Sequence, residues 1–413
     1  MMKKKVLSAL LVAAMTASMV AGCGSSDKKD DTQSAGKGEE TEDVTLTVWS
    51  PQEDQDTKWL QDQCDAFNEE HPEWNITYKY GVCPEGDAKK TVVQDVEGSA
   101  DVYMLANDNI PDLVSAGALA ELGGEYKDYV TSTNSASIAA SVTYNDQVVA
   151  FPFTSNTWFM YYDKSAFTED DIKSLDSMLA KGVVSFPLSN SWYIEAFYFA
   201  NGCTLFGDGT DESAGIDFGG DKAAAVTSYL VDLAANPNFK NDQDGAGIAG
   251  LRDGSIKAMF SGTWDAKDVK EALGDNFGVA TLPTVKIDGK DGQMKSFIGS
   301  KAIGVNPNAK NQKAAMALAA YLAGEKAQKA HYDVRGILPV NTNIEIADDD
   351  VATAVANVMK DASFMQPLCA TMGQYWTPAE NMGKKLVAGE VTKDAAATET
   401  EAMNTAMNTD VAK

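Results

Sequence analysis

The side chains able to do chemistry are few in kind. Histidine occurs only as His71 and His331, and arginine only as Arg252 and Arg335. Neither histidine stands at ligand spacing from the other or from a cysteine, so neither a zinc centre nor a histidine-based triad is expected. Two guanidinium groups offer little for forked pairing to phosphates or carboxylates. Carboxylates are abundant: 60 Asp and Glu stand against 34 Lys and Arg, a formal charge of −26. Nucleic acid and anionic lipid are poor partners for such a surface.

Among those carboxylates, Glu53 and Asp54 follow the first apolar strand and Asp108 the third. An α/β sheet presents its ligands at the C-terminal edges of its strands, so these three are candidates to accept hydrogen bonds. A solvated surface role is the competing reading. Glu53 and Asp54 adjoin each other rather than arriving from separate strands, which argues against a glycosidase pair. The acidic stretches Gly207 to Asp221 and Asp242-Gln243-Asp244-Gly245 lack the Glu that closes a calcium loop, and read as solvated turns.

The elements that must position these groups follow from periodicity. Val44 to Trp49 alternates as a strand; Trp59, Leu60, Cys64 and Phe67 recur at helical spacing until His71-Pro72; Asn75 to Tyr80 is the second strand. A helix over about Ala88 to Glu97, a strand Ala100 to Leu105 and a helix Ile110 to Ala116 continue a βαβα rhythm, which predicts a mainly parallel sheet between helices. Val148 to Tyr162 reads as one strand running from one lobe toward the next. Further helices are expected near Asp170 to Lys181, Trp192 to Asn201, Asp221 to Asn236 and Gly247 to Ser255. Strands follow at Lys257 to Ser261, Gly278 to Leu282 and Phe297 to Val305. Helices at Asn311 to Gly324, Ala327 to Val334, Val351 to Ser363 and Pro378 to Val387, then an Ala-rich one from about Lys393, complete the set.

At the other end, Lys3 to Lys5, the apolar run Val6 to Met15 and Val20-Ala21-Gly22-Cys23 read as an export signal over 1–22. The apolar stretch is short of the ~20 residues that span a bilayer. Small residues before Cys23 resemble the bacterial lipobox, which makes Cys23 the expected lipid attachment. Residues 23–43 carry no aromatic or large aliphatic side chain and read as a flexible tether. Of the other cysteines, Cys64 and Cys83 could bridge the first helix and second strand, worth ~3 kcal/mol for a loop of that length. Four buried thiols are the alternative, and spacing leaves both open. The chain beyond Val44 exceeds the ~250–300 residues of a single core, so two lobes are expected.

Seven motifs in order resemble those of the maltose and maltodextrin binding proteins of ABC importers. They are Trp49 to Asp54, Ala106-Asn107-Asp108, Ala150 to Phe153, Ser189 to Tyr193, Met259 to Trp264, Phe277 to Thr284 and Gln374-Tyr375-Trp376. The resemblance covers essentially the whole mature chain. It implies a two-lobed α/β periplasmic-binding-protein fold with discontinuous lobes, a three-segment hinge and the ligand cleft between lobes. The N-terminal lobe would comprise 44–155 plus 302–347 and the C-terminal lobe 156–301 plus 348–413, with crossings near Thr154 to Trp158, Ile298 to Ala302 and Ala347 to Val351.

The resemblance further implies that Trp192, Tyr193, Trp264 and Trp376 are stacking platforms for glucose rings, with Glu53, Asp54, Asp108, Asn156 and Asn190 as polar partners. Such a set suits a neutral oligosaccharide, which shows an apolar ring face and a belt of hydroxyls. Trp49, Trp74 and Trp158 are expected to be packing residues instead. Asn156 stands where the family often has Glu, and Leu105 where it often has Trp. The implied protein is a monomeric, lipid-anchored binder of maltooligosaccharides on the outer face of the cell membrane, serving ABC permease subunits. It needs no cofactor or metal and is no enzyme. Rival expectations are another neutral oligosaccharide on the same fold, a lipid-anchored glycoside hydrolase, and a structural adhesin.

Overall fold

A computed structural model describes residues 41–346 and 349–409. The expected signal, Cys23, the tether up to residue 40 and the Ala347 end of the third crossing lie outside the described residues; Glu42 and Asp43, expected to end the tether, belong instead to the first strand. Strand Glu42–Ser50 buries Val44, Leu46 and Val48 on one face, and pairs in parallel register with Trp74–Val82 on one side and Val102–Ala106 on the other. Alternation of apolar and polar residues fixes that register, because a slip of one residue would turn every buried side chain to solvent. Between the first two strands, helix Trp59–Glu70 returns the chain and buries Trp59, Leu60, Cys64 and Phe67, the residues that share its apolar face.

The three strands of the βαβα stretch pair in parallel, as that rhythm predicts, and each of the two sheets becomes mixed through strands that cross from the other. In the first the order is Ser363–Met365, Ser296–Val305, Val102–Ala106, Glu42–Ser50, Trp74–Val82, with Phe151–Asn156 also paired to Ser296–Val305. In the second it is Phe239–Asn241, Val184–Phe186, Ala258–Gly262, Trp158–Asp163, Phe277–Ala280. The strands that run against the rest are Ser296–Val305, with Ser363–Met365 parallel to it, in the first sheet and Trp158–Asp163 in the second; Phe151–Asn156, antiparallel to Ser296–Val305, keeps the direction of Val102–Ala106. A strand arriving from the far sheet enters against the local direction, which a βαβ rhythm does not encode.

Each sheet serves its own buried core. One core includes Leu46, Phe67, Tyr103, Phe151, Ile303 and Leu318; the other includes Trp158, Phe186, Phe197, Phe260, Phe297 and Tyr375. The expected single strand from Val148 to Tyr162 is three: Gln147–Val148, Phe151–Asn156 and Trp158–Asp163. Thr157 separates the last two, and its hydroxyl bonds to Ser296 Oγ at 3.0 Å and the Phe297 carbonyl at 2.9 Å, tying both crossing segments together. Ser296–Val305 itself carries Phe297 into one core and Ile303 into the other.

The Cys64–Cys83 bridge is not formed; both are free thiols. Cys64 sits mid-helix beneath Tyr80, where burial pushes its pKa up to about 12. Cys83 lies just past the end of strand Trp74–Val82, three residues beyond Tyr80, and its Sγ contacts the Pro84 carbonyl.

Candidate functional site

Eight residues, Gly86, Ala106, Asp108, Asn156, Trp192, Trp264, Lys301 and Trp376, surround one cavity of about 440 Å³. They arrive from both sheets. Asp108 lies on the 3-10 turn Asn107–Asn109 directly after the buried strand Val102–Ala106. Burial raises its carboxyl pKa, while a hydrogen bond from the Asn109 amide at 3.1 Å works in the opposite direction. Asn156 ends its strand, buried, where the chain passes to the second sheet.

Three tryptophans form the other wall. Trp192 is in the first turn of helix Ser191–Ala200, whose N-cap Asn190 accepts the Trp192 backbone N–H at 2.8 Å. Its indole N–H donates to Gln366 Oε1 at 3.0 Å. Trp264 follows strand Ala258–Gly262 and lies so close over Gly262 that a Cβ there would come within 2.1 Å of the ring; only glycine admits this approach. Trp192 and Trp264 have centroids 6.1 Å apart at 41°, leaving an angled pair of faces rather than a closed stack. Trp376, on helix Gly373–Val387, is braced edge-on by Phe297 at 5.8 Å and Tyr375 at 5.1 Å.

Lys301 closes the ring of residues. Its ammonium is 5.7 Å from the Trp264 centroid and 3.4 Å from Glu85 Oε1. Flat apolar faces with a carboxylate, an amide and an ammonium between them can stack on a ring and exchange hydrogen bonds with hydroxyls. No cluster of three metal-capable side chains occurs among the described residues.

Of the expected site residues, Asp108, Asn156, Trp192, Trp264 and Trp376 meet here; four others do not line the cavity. Asp54 is buried, 3.0 Å from His331 Nε2 and 3.4 Å from Arg335, so its carboxylate is committed inside the protein. Glu53, next to it, points to solvent with Arg335 at 4.0 Å. Tyr193 packs against Trp158 at 4.9 Å in the core. Successive helical positions are about 100° apart, so when Trp192 faces the cavity Tyr193 must turn inward. Asn190 spends its side chain on the cap. Trp158 is fully buried, as the packing expectation had it, and Leu105, also fully buried, offers no platform.

Lys301 and Gln366 were missed. Lys301 carried a signal, as the one charge in the apolar strand Ser296–Val305. Gln366 carried none; it reaches Trp192 only because strand Ser363–Met365 pairs with Ser296–Val305.

The profile of the bacterial extracellular solute-binding proteins matches residues 62–359 of this chain. A galactooligosaccharide-binding protein from Bacillus subtilis is 27% identical over 94% of each chain. Among solved structures, one with acarbose is 54% identical, with a TM-score of 0.85, over 88% of this chain and 98% of that one. The ligand-free maltodextrin binding protein MalE1 of L. casei BL23 is 26% identical with a TM-score of 0.80, over 88% of this chain and 99% of its own.

Proposed function

Because this chain belongs to the bacterial extracellular solute-binding protein family, we propose that it captures maltooligosaccharides outside the cell and delivers them to an ABC permease. The family is one of binding proteins, so no covalent chemistry is assigned. The observation carrying the choice of ligand is the cavity in which Trp192, Trp264 and Trp376 present ring faces beside Asp108, Asn156 and Lys301. The 54% identical structure with acarbose supports an α-glucan, since acarbose mimics one.

Sugar binding bridges residues from both sheets and stabilises the closed arrangement that the permease reads. The lobes we assign are 44–155 with 302–347 and 156–301 with 348–413. Hinge bending then falls on Thr157 and on the middle of Ser296–Val305. Calorimetric titration with maltotriose tests the ligand: binding supports the assignment, and no heat with any α-glucan rejects it. The Bacillus subtilis relative favours a second reading, a galactooligosaccharide, and titration with that series separates the two.

We assign the working form as a monomer held to the membrane by lipid on Cys23. Cys23→Ala should release it into the medium; retention at the cell would reject the anchor.

A further inference from the structure

The cleft does not stop at Trp376. Gly86, Asp108 and Trp376 also line a second hollow of about 190 Å³, which at Cys369 and Ala370 runs into a third of about 630 Å³. Shared lining residues set the three hollows side by side, with Trp264 and Lys301 on the first and Tyr144 on the third.

Three side chains equip the far end. Tyr144 is half-buried on the short hairpin Thr143–Tyr144 and Gln147–Val148, near enough to Glu212, Cys369 and Asp112 for their charges to act on its hydroxyl after burial has raised its pKa. Glu212 is held in place because its Oε1 accepts both the backbone N–H and the hydroxyl of Thr371, at 3.1 and 2.8 Å. Gln366 is 2% exposed and lines this hollow; its Oε1 accepts from Trp192, and its Nε2 has no partner among the described residues. An unpartnered amide N–H there costs free energy until something accepts from it.

We propose that this far end is an outer subsite for further sugar units of a longer oligosaccharide. Tyr144 supplies the ring face, while Glu212 and the Gln366 amide meet hydroxyls. This rests on the inner cleft being an oligosaccharide site. Gln366, touching both Trp192 and the outer hollow, couples the two ends.

Calorimetry on the intact protein with maltotriose and maltoheptaose, for wild type, Tyr144→Ala and Glu212→Gln, tests it. The wild type should bind the longer sugar more tightly. Tyr144→Ala should weaken maltoheptaose by about five- to ten-fold, the range of one aromatic contact, and leave maltotriose unchanged. Variants that bind maltoheptaose as the wild type does, or that weaken both sugars equally, overturn the subsite while leaving the inner site standing. If the wild type takes galactooligosaccharides instead, short and long members of that series replace the glucans under the same criteria. Failure of both series on the wild type overturns the proposed function and the outer subsite together.

Discussion

At the residue scale, neighbours in sequence have opposite duties. Trp264 and Trp376 present ring faces to the cavity and are only partly buried, so replacing either by Ala removes a contact surface without opening the core. Each substitution should weaken sugar binding on the order of 10- to 100-fold, as for central aromatic anchors, with little change in Tm. Calorimetry alongside a melting curve checks both halves. Asp54→Asn should do the reverse. Its carboxylate lies between His331 and Arg335, and breaking a buried pair costs about 3 kcal/mol, so Tm should fall while sugar affinity stays within two-fold, roughly the scatter of additivity between separated sites. A large loss of affinity with unchanged Tm would return Asp54 to the site.

The element that most directly couples packing to binding is helix Ser191–Ala200. Its first turn sets Trp192 at the cavity, and one turn later Glu195 is wholly buried, with neither carboxyl oxygen partnered among the described residues. Burial pushes the Glu195 pKa well above the ordinary range. The unfolded chain releases this proton near pH ~4.3. Its contribution to stability is therefore complete below that value and is lost as pH rises toward the folded value, at up to about 1.4 kcal/mol per pH unit. Glu195→Gln cannot ionise, so its Tm should gain on the wild type between about pH 5 and pH 8. Parallel pH profiles for the two proteins would show that Glu195 is not neutral in the fold.

The crossing strands are the second informative element. Val148 to Tyr162 reads as one apolar run because both faces of Phe151–Asn156 and Trp158–Asp163 are buried, and periodicity cannot mark a break between two buried strands. Thr157 marks it in the structure, through its bonds to Ser296 and Phe297.

For the whole molecule, two cores joined by crossing strands predict a binder that changes shape as a rigid pair. Saturating sugar should reduce the radius of gyration in solution scattering and raise Tm, since 100 Kd of ligand adds about 2.7 kcal/mol to the bound state. Binding with no compaction would place closure elsewhere than between the lobes. Prolonged incubation should leave maltoheptaose intact.

By itself the sequence determined the alternating strands and amphipathic helices, the scarcity of His and Arg, and the motifs bearing Asp108, Trp192, Trp264 and Trp376. These depend on local periodicity and residue type, which are written along the chain. Only tertiary structure decided that Asp54 belongs to His331 and Arg335, that Tyr193 turns to the core and that Cys64 and Cys83 stay apart. It also brought Lys301 and Gln366 to the cavity walls. Each of these is a meeting of segments distant along the chain or a choice between two faces of one element. Both are set by which surfaces pack together, and no local pattern carries that information.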